Sequence, residues 1–226
     1  MSEDERVRRA YAEGRVRFLD LDLEIAAGAL VPRGETELLA RAAIGLLADL
    51  SGDLRVVDMC CGSGNLACAI ASVVPQAHVW ASDLTDGCVA VTRRNVARLD
   101  LGARVTVAQG DLFAPLAGSG LEAAVDVVVC NPPYISTGRL EKERKGLLDH
   151  EPREAFDGGP YGLTIHQRVV REAAPFLRAG GSLLFEIGLG QERQLDVLFR
   201  RATSYTATVH AKDPDGHVRV VMAKKV

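Results

Sequence analysis

The segment Asn131-Pro132-Pro133-Tyr134 ends an apolar run, Val127 to Cys130, and combines side chains that suit one kind of chemistry. Each proline fixes its own φ and restricts the residue before it, so the segment is stiff. Neither proline carries an N–H, which leaves carbonyls and the Asn131 amide as acceptors with few donors. Acceptors suit a partner that presents a planar NH2 group, as in a carboxamide, an adenine or a guanidinium. The lone pair of such a nitrogen is delocalised, so it is a poor nucleophile. Hydrogen bonds from its two protons to the Asn131 side-chain oxygen and the Pro132 carbonyl return electron density to nitrogen and aim it for in-line attack. Tyr134 can stack on the planar group and shut out water. A proline-stiffened strand exit without chemistry is the competing reading of the four residues.

A second cluster lies upstream. "VVDMCCGSGNLACAIA" reads as a strand, a tight glycine turn and the start of a helix. Gly62 and Gly64 let the backbone turn sharply and let a ligand approach it. Asp83 follows Gly64 by nineteen residues and ends the next strand, where a carboxylate can accept two hydrogen bonds from ribose hydroxyls. The pair signals an adenosine-containing cofactor; glycines that only permit a turn are the plainer alternative. A nicotinamide cofactor fits less well, because Cys60 stands where GxGxxG has its first glycine and Asp58 closes the first strand. A carboxylate is unfavourable beside pyrophosphate and favourable beside a cationic sulfonium or ammonium, which favours S-adenosylmethionine and methyl transfer. In "GDLF" at 110–113, Asp111 can take an adenine amino group or cap a turn, and Leu112 can pack on the ring.

The elements that must position these residues alternate along the chain. Strand-like runs "LRVVDM", "AHVWASD", "RVTVAQG" and "VDVVVCN" are separated by helical patterns at Asn65–Val74, at Asp86–Leu99 and, shorter, near Leu116–Glu122. A charged stretch follows, then an amphipathic helix over Thr164–Leu177, a buried strand in "GSLLFEIG" and a helix over Gln191–Arg201. The runs "YTATVHA" and "HVRVVMAKKV" are joined by the turn "KDPDG". This order predicts an α/β fold: a doubly wound, mostly parallel sheet with helices on both faces and a tail hairpin that makes one edge strand antiparallel. In such a sheet the fourth strand lies beside the first, which brings Asn131 to the glycine loop. Upstream, residues 3–14 predict a short charged helix, "RVRFLDLDLEIAAGAL" a hairpin, and "GETELLARAAIGLLADL" a helix.

The chain has 226 residues, enough for one large domain or a domain with a small appendage. A net charge of −3 argues against a basic nucleic-acid surface. Met1 to Tyr11 is charged and has no apolar stretch, so a secretory signal is not expected, and no apolar run approaches the length of a membrane span. The five cysteines (60, 61, 68, 88 and 130) lack CxxC spacing and read as reduced core residues of a cytoplasmic protein, without disulfide or metal. Trp80 and the paired Cys60 and Cys61 are expected in the core, and His166 at the surface or core edge. Glu151 either holds a loop over the substrate or pairs with Arg153 or Lys145. "RLEKERK" reads as a solvated face or a lid.

From about Arg15 onward the chain resembles the HemK/PrmC family of protein-(glutamine-N5) methyltransferases, class I enzymes that use S-adenosylmethionine. The resemblance rests on "LVPRGETELL", "VDMCCGSGN", "ASD" at 81–83, "GDLF", "NPPYI", "HEPREAFDGG", "GGSLLFEIGLGQ" and "DPDGHVRVV". It implies a Rossmann-like, seven-stranded sheet, with residues 34–226 as the methyltransferase domain and 1–33 as a helix-and-hairpin appendage. Carried over by position, Cys60, Cys61, Gly62, Ser63 and Gly64, flanked by Asp58 and Asn65, line the methionine end of the cofactor. Asp83 holds its ribose and Leu112 its adenine edge, with Leu84 and Asp111 also among the cofactor-binding residues. Asn131 touches both cofactor and substrate, with Pro132, Pro133 and Tyr134 completing the substrate site.

The implied substrate is the glutamine of a GGQ tripeptide in class 1 peptide chain release factors. The departures are Gly34 for a proline, Cys60-Cys61 for Gly-Thr, and "YGLTIHQ", with Tyr161, His166 and Gln167, for DGLxxYR. Only about fourteen residues precede the hairpin, too few for the helical domain by which the family grips release factors. Either the chain is the catalytic part of a longer protein or it is a compact relative, and the charged start at Met1 favours the compact relative; the expected acceptor is a release factor or a small amide or guanidine of secondary metabolism. A nucleic-acid amino-methyltransferase and a non-catalytic cofactor-binding module are the alternatives.

Overall fold

In the computed structural model, which describes residues 2–142 and 151–226, a seven-stranded sheet runs in the order β5-β4-β3-β6-β7-β9-β8. The strands are β3 (Leu54–Met59), β4 (Ala77–Asp83), β5 (Val105–Gln109), β6 (Val125–Cys130), β7 (Leu177–Glu186), β8 (Val209–Lys212) and β9 (Val218–Lys224). Strands β3 to β7 pair in parallel, with β3 and β6 at the centre. Every residue of β6 is buried, as a strand covered on both faces requires.

Alternate side chains of these strands feed two cores. Val56, Val127, Val129 and Leu184 point to the face covered by α2 (Gly34–Ala48), α3 (Asn65–Val73) and α4 (Asp86–Arg98). Val57, Val128, Cys130 and Phe185 point to the face covered by α6 (Thr164–Ala173) and α7 (Glu192–Ala202). A short helix α5 (Thr137–Lys142) follows the NPPY segment, and most of the charged stretch after it, including Lys145 and His150, lies outside the described residues.

Three expectations are corrected. The antiparallel strand is β9, which pairs with β7 and β8 and so lies inside the edge strand β8. The helical turn near Leu116 is a 3-10 turn at Ala114–Leu116, since Pro115 suits its first positions and Gly118 and Gly120, both at positive φ, turn the chain after it. The helix beginning at Thr164 stops at Ala173, and Leu177 already belongs to β7, where it pairs with Val125.

The N-terminal segment is built onto the sheet's helical face. Helix α1 (Glu3–Glu13) opens on a capping box, in which the Ser2 hydroxyl accepts from the Glu5 N–H and the Glu5 carboxylate from the Ser2 N–H. Gly14, at φ +66, ends it. Strands β1 (Arg15–Phe18) and β2 (Leu21–Glu24) form a separate antiparallel pair. Phe18, Leu23 and Ile25 share a core with α2, α3 and the sheet. The side chain of Asn95 in α4 accepts from the Glu24 N–H at 2.7 Å and donates to the Glu24 carbonyl at 2.9 Å. Phe18→Ala is therefore expected to cost roughly 3–5 kcal/mol. Thermal unfolding followed by circular dichroism should show one transition displaced as a whole, with no early loss of a separate hairpin.

Candidate active site

At the carboxyl ends of β3, β4, β5 and β6 the loops enclose a cavity of about 460 Å3, where ligands of open α/β sheets are expected. Its floor is the turn after β3. Cys60, Gly62 and Gly64 there all have positive φ, at +61, +57 and +76. Cysteine in this conformation is strained, and the strain is held by the surrounding bonds. The Gly62 N–H donates to Asp83 Oδ2 at 3.0 Å, and the Cys61 N–H to the Ser82 carbonyl at 3.1 Å, so the turn is tied to the end of β4. Helix α4 grips it from the other side: the Thr92 hydroxyl donates to the Gly62 carbonyl and the Asn95 amide to the Ser63 carbonyl, both at 2.9 Å.

The sequence-selected residues divide between the cavity and its support. Cys60, Cys61, Gly62, Ser63, Asn65, Asp83, Leu84, Asp111, Leu112, Asn131 and Pro133 line the cavity. At Gly62 a Cβ would meet no atom within 4 Å, so the backbone is open to a ligand. Gly64 instead faces α4, where a Cβ would sit 2.7 Å from the Thr92 methyl. Asp58 also lies behind the wall: it is fully buried, and its Oδ2 accepts from the Ala67 N–H in the first turn of α3 at 2.9 Å. Both oxygens of Asp111 are held by the Arg168 guanidinium of α6, at 2.8 and 3.0 Å. Cys60, expected in the core with Cys61, is partly exposed in the cavity wall, and Trp80 is half-buried.

The NPPY segment is braced on every side. Pro132 is buried and Tyr134 half-buried, and neither lines the cavity. The Ile135 N–H donates to the Phe156 carbonyl at 2.9 Å, and the Gly158 N–H to the Ile135 carbonyl at 2.8 Å. The Gln191 amide donates to the Tyr134 carbonyl at 3.0 Å, and its oxygen accepts from the Gly188 N–H at 2.9 Å. Gly162, at φ +70, comes so close that a Cβ would lie 2.3 Å from the Tyr134 carbonyl oxygen. The Asn131 Nδ2 donates to the Thr36 hydroxyl at 3.2 Å. Among the described residues no hydrogen bond claims Asn131 Oδ1 or the Pro132 carbonyl.

Several residues of the site were not selected from the sequence. Gly28, Leu30, Pro32 and Thr36, in and around "LVPRGETELL", line the cavity, as do Cys88 and the 152–155 segment. Glu151 joins these two walls. It accepts from the Val31 N–H at 2.9 Å and pairs with Arg33, and both partners are largely buried. The expected pairing with Arg153 is not made, because Arg153 is drawn to Asp157 at 3.0 Å. His166, expected at the surface or core edge, is buried against Phe185, and burial pushes its pKa down to about 4.

The methyltransferase small domain family matches residues 36–146. The release factor glutamine methyltransferase of Geobacter sulfurreducens is 36% identical over 211 residues, which cover 93% of this chain and 71% of that protein. The release factor glutamine methyltransferase of Moorella thermoacetica is 37% identical over 216 residues, covering 94% and 73%. The chain belongs to the release factor glutamine methyltransferase family. A solved protein-(glutamine-N5) methyltransferase (release factor-specific) from Alicyclobacillus acidocaldarius, 24% identical, has the same fold with a TM-score of 0.52, covering 86% of this chain and 94% of that one. As a member of this family the chain is an N-methyltransferase whose methyl donor is S-adenosylmethionine. The cavity suits that donor: an open glycine backbone, a carboxylate at the end of β4, and apolar Leu84 and Leu112.

Two buried carboxyls tie stability to pH. Burial pushes Asp58 up to about 8, with the Ala67 N–H pulling it back and Asp83 adding to the rise, and it pushes Glu186 up to about 7. The folded state thus holds both protons more tightly than the unfolded chain. This contribution is fully present below the ordinary carboxylate range and is lost as pH rises through about 7 and 8. Asp58→Asn keeps an acceptor for Ala67 and removes one of the two groups. Melting followed between about pH 5 and 9 is expected to show a smaller fall for this variant than for the unaltered protein.

Proposed function

We propose that this protein transfers the methyl group of S-adenosylmethionine to the side-chain amide nitrogen of a glutamine in a peptide chain release factor. One observation carries the reading of the nitrogen. Asn131 is turned so that its NH2 meets Thr36, which leaves Oδ1 and the Pro132 carbonyl as acceptors beside the cofactor cavity. The relatives, which are release factor glutamine methyltransferases, carry the reading of the acceptor.

The cofactor, when bound, supplies a methyl group on a positively charged sulfur. Gly62 and Ser63 give it a backbone surface without side-chain obstruction, Asp83 accepts from its ribose, and Leu84 and Leu112 cover its adenine. Asp111, held by Arg168, keeps lone pairs for the adenine amino group. Asn131 Oδ1 and the Pro132 carbonyl each accept one proton of the glutamine NH2. They thereby raise the electron density on nitrogen and fix its approach. After transfer the nitrogen carries one proton too many, and it leaves through these acceptors to solvent. Tyr134, braced by Gln191, packs along the planar amide and keeps water from the line of attack.

Transfer of labelled methyl should appear on a release factor and vanish when its GGQ glutamine is replaced. Labelling of small amides, guanidines or RNA with none on the release factor would overturn this reading. Asn131→Ala is expected to lower turnover by about 100-fold or more, with cofactor affinity much less affected. Asp83→Ala has the opposite profile: calorimetry should give cofactor binding weakened roughly 10- to 100-fold, as for lost hydrogen bonds to a charged group.

A further inference from the structure

One wall of the cavity comes from outside the parallel sheet. Between β2 and α2 the chain belongs to no helix or strand, and its side chains alternate. Gly28, Leu30 and Pro32 line the cavity, while Ala29 and Val31, both 0% exposed, join the core shared with α2 and the sheet. The segment crosses the cavity from one functional end to the other. At Gly28 it packs on the start of α4, just past Asp83, where a Cβ on Gly87 would lie 3.6 Å from the Gly28 Cα. It leads into Thr36, which accepts from Asn131. A segment without a ladder has to satisfy its main chain elsewhere, and side chains from distant elements do so. From α1, the Tyr11 hydroxyl donates to the Ala29 carbonyl at 2.7 Å and the Arg6 guanidinium to the Pro32 carbonyl at 2.8 Å. The Cys88 thiol of α4 donates to the Gly28 carbonyl at 3.3 Å. Glu151 accepts from the Val31 N–H at 2.9 Å.

We propose that helix α1 is part of the cofactor site: Tyr11 and Arg6 are positioning residues that hold the 28–33 segment as a wall against S-adenosylmethionine. The proposal rests on the assignment of that cofactor and not on the identity of the methyl acceptor. Leu30 and Pro32 give apolar contact to a bound cofactor only while the main chain behind them keeps its place opposite the glycine turn and Asp83. Strand pairing does not supply that stiffness, so the bonds from α1, α4 and Glu151 do. A wall ordered before the ligand arrives costs little at binding, whereas a loosened wall has to be ordered by the ligand itself. Loss of a bond from α1 therefore acts on cofactor affinity. The residues ahead of α2, which read in the sequence as an appendage, complete the cavity.

Calorimetric titration with S-adenosylmethionine, well below the melting temperature, tests this. Tyr11→Phe removes one hydroxyl, and Arg6→Met removes the guanidinium while keeping most of the side chain's bulk. Each is expected to weaken cofactor binding about 5- to 10-fold, as for one lost hydrogen bond, and the double variant more than either. Leu47→Ala is the control for a purely structural effect. Leu47 is fully buried in the same core at the opposite end of α2 from Thr36, so its truncation should lower the melting temperature at least as much as the α1 variants do. Its cofactor affinity should match that of the unaltered protein. Affinities within about twofold of the unaltered protein in both α1 variants overturn the proposal. An equal loss of affinity in Leu47→Ala overturns it too, because the effect would then be one of stability alone. If the unaltered protein binds no S-adenosylmethionine, the cofactor assignment falls and the proposal falls with it.

Discussion

Parallel pairing of β3 with β6 is the constraint on which the site depends. Met59 stands opposite Cys130, so the glycine turn and the NPPY segment leave the sheet from neighbouring positions at the same level. A one-residue slip would move every side chain of β6 to the opposite face. The register is held because both faces are buried: Val127 and Val129 are committed to one core and Val128 and Cys130 to the other. Packing that has nothing to do with chemistry thus sets the distance between cofactor and acceptor.

Around that pair of strands the molecule fixes backbone rather than side chains. The glycine turn is tied through main-chain groups to Asp83, Ser82, Thr92 and Asn95. The NPPY loop is tied through main-chain groups to the 156–158 segment and to Gln191. Such bracing is needed where the chain adopts costly conformations, as at Cys60, and where attack depends on the aim of a carbonyl. The same bracing gathers buried charge. Glu151 with Arg33, and Glu186 with Arg219, join segments far apart in the chain.

The parts of the site legible in the sequence are those carried by short contiguous motifs. The glycine turn, Asp83, Asp111 with Leu112, and Asn131 each follow a strand whose apolar run announces it, and the order of strands places them together. Thr36 and Glu186 were not legible as partners of that site, and Glu151 was legible only as one of two readings. Each is a common residue in a helix, loop or strand, and each acts through a contact more than fifty positions away in sequence. His166 shows the same limit: helical periodicity gave its helix, but only packing against Phe185 shows that it faces inward.

The sequence by itself determined the alternation of strands and helices, the cofactor turn and the kind of nitrogen that NPPY can serve, because local sterics and hydrophobic period decide these. Tertiary structure decided the rest. It placed β9 inside β8, put Asp58 and Gly64 behind the cavity wall, and turned the Asn131 amide by way of Thr36. Those outcomes depend on which buried polar groups find partners across the fold, and a hydrogen bond between distant residues leaves no periodic trace in the chain.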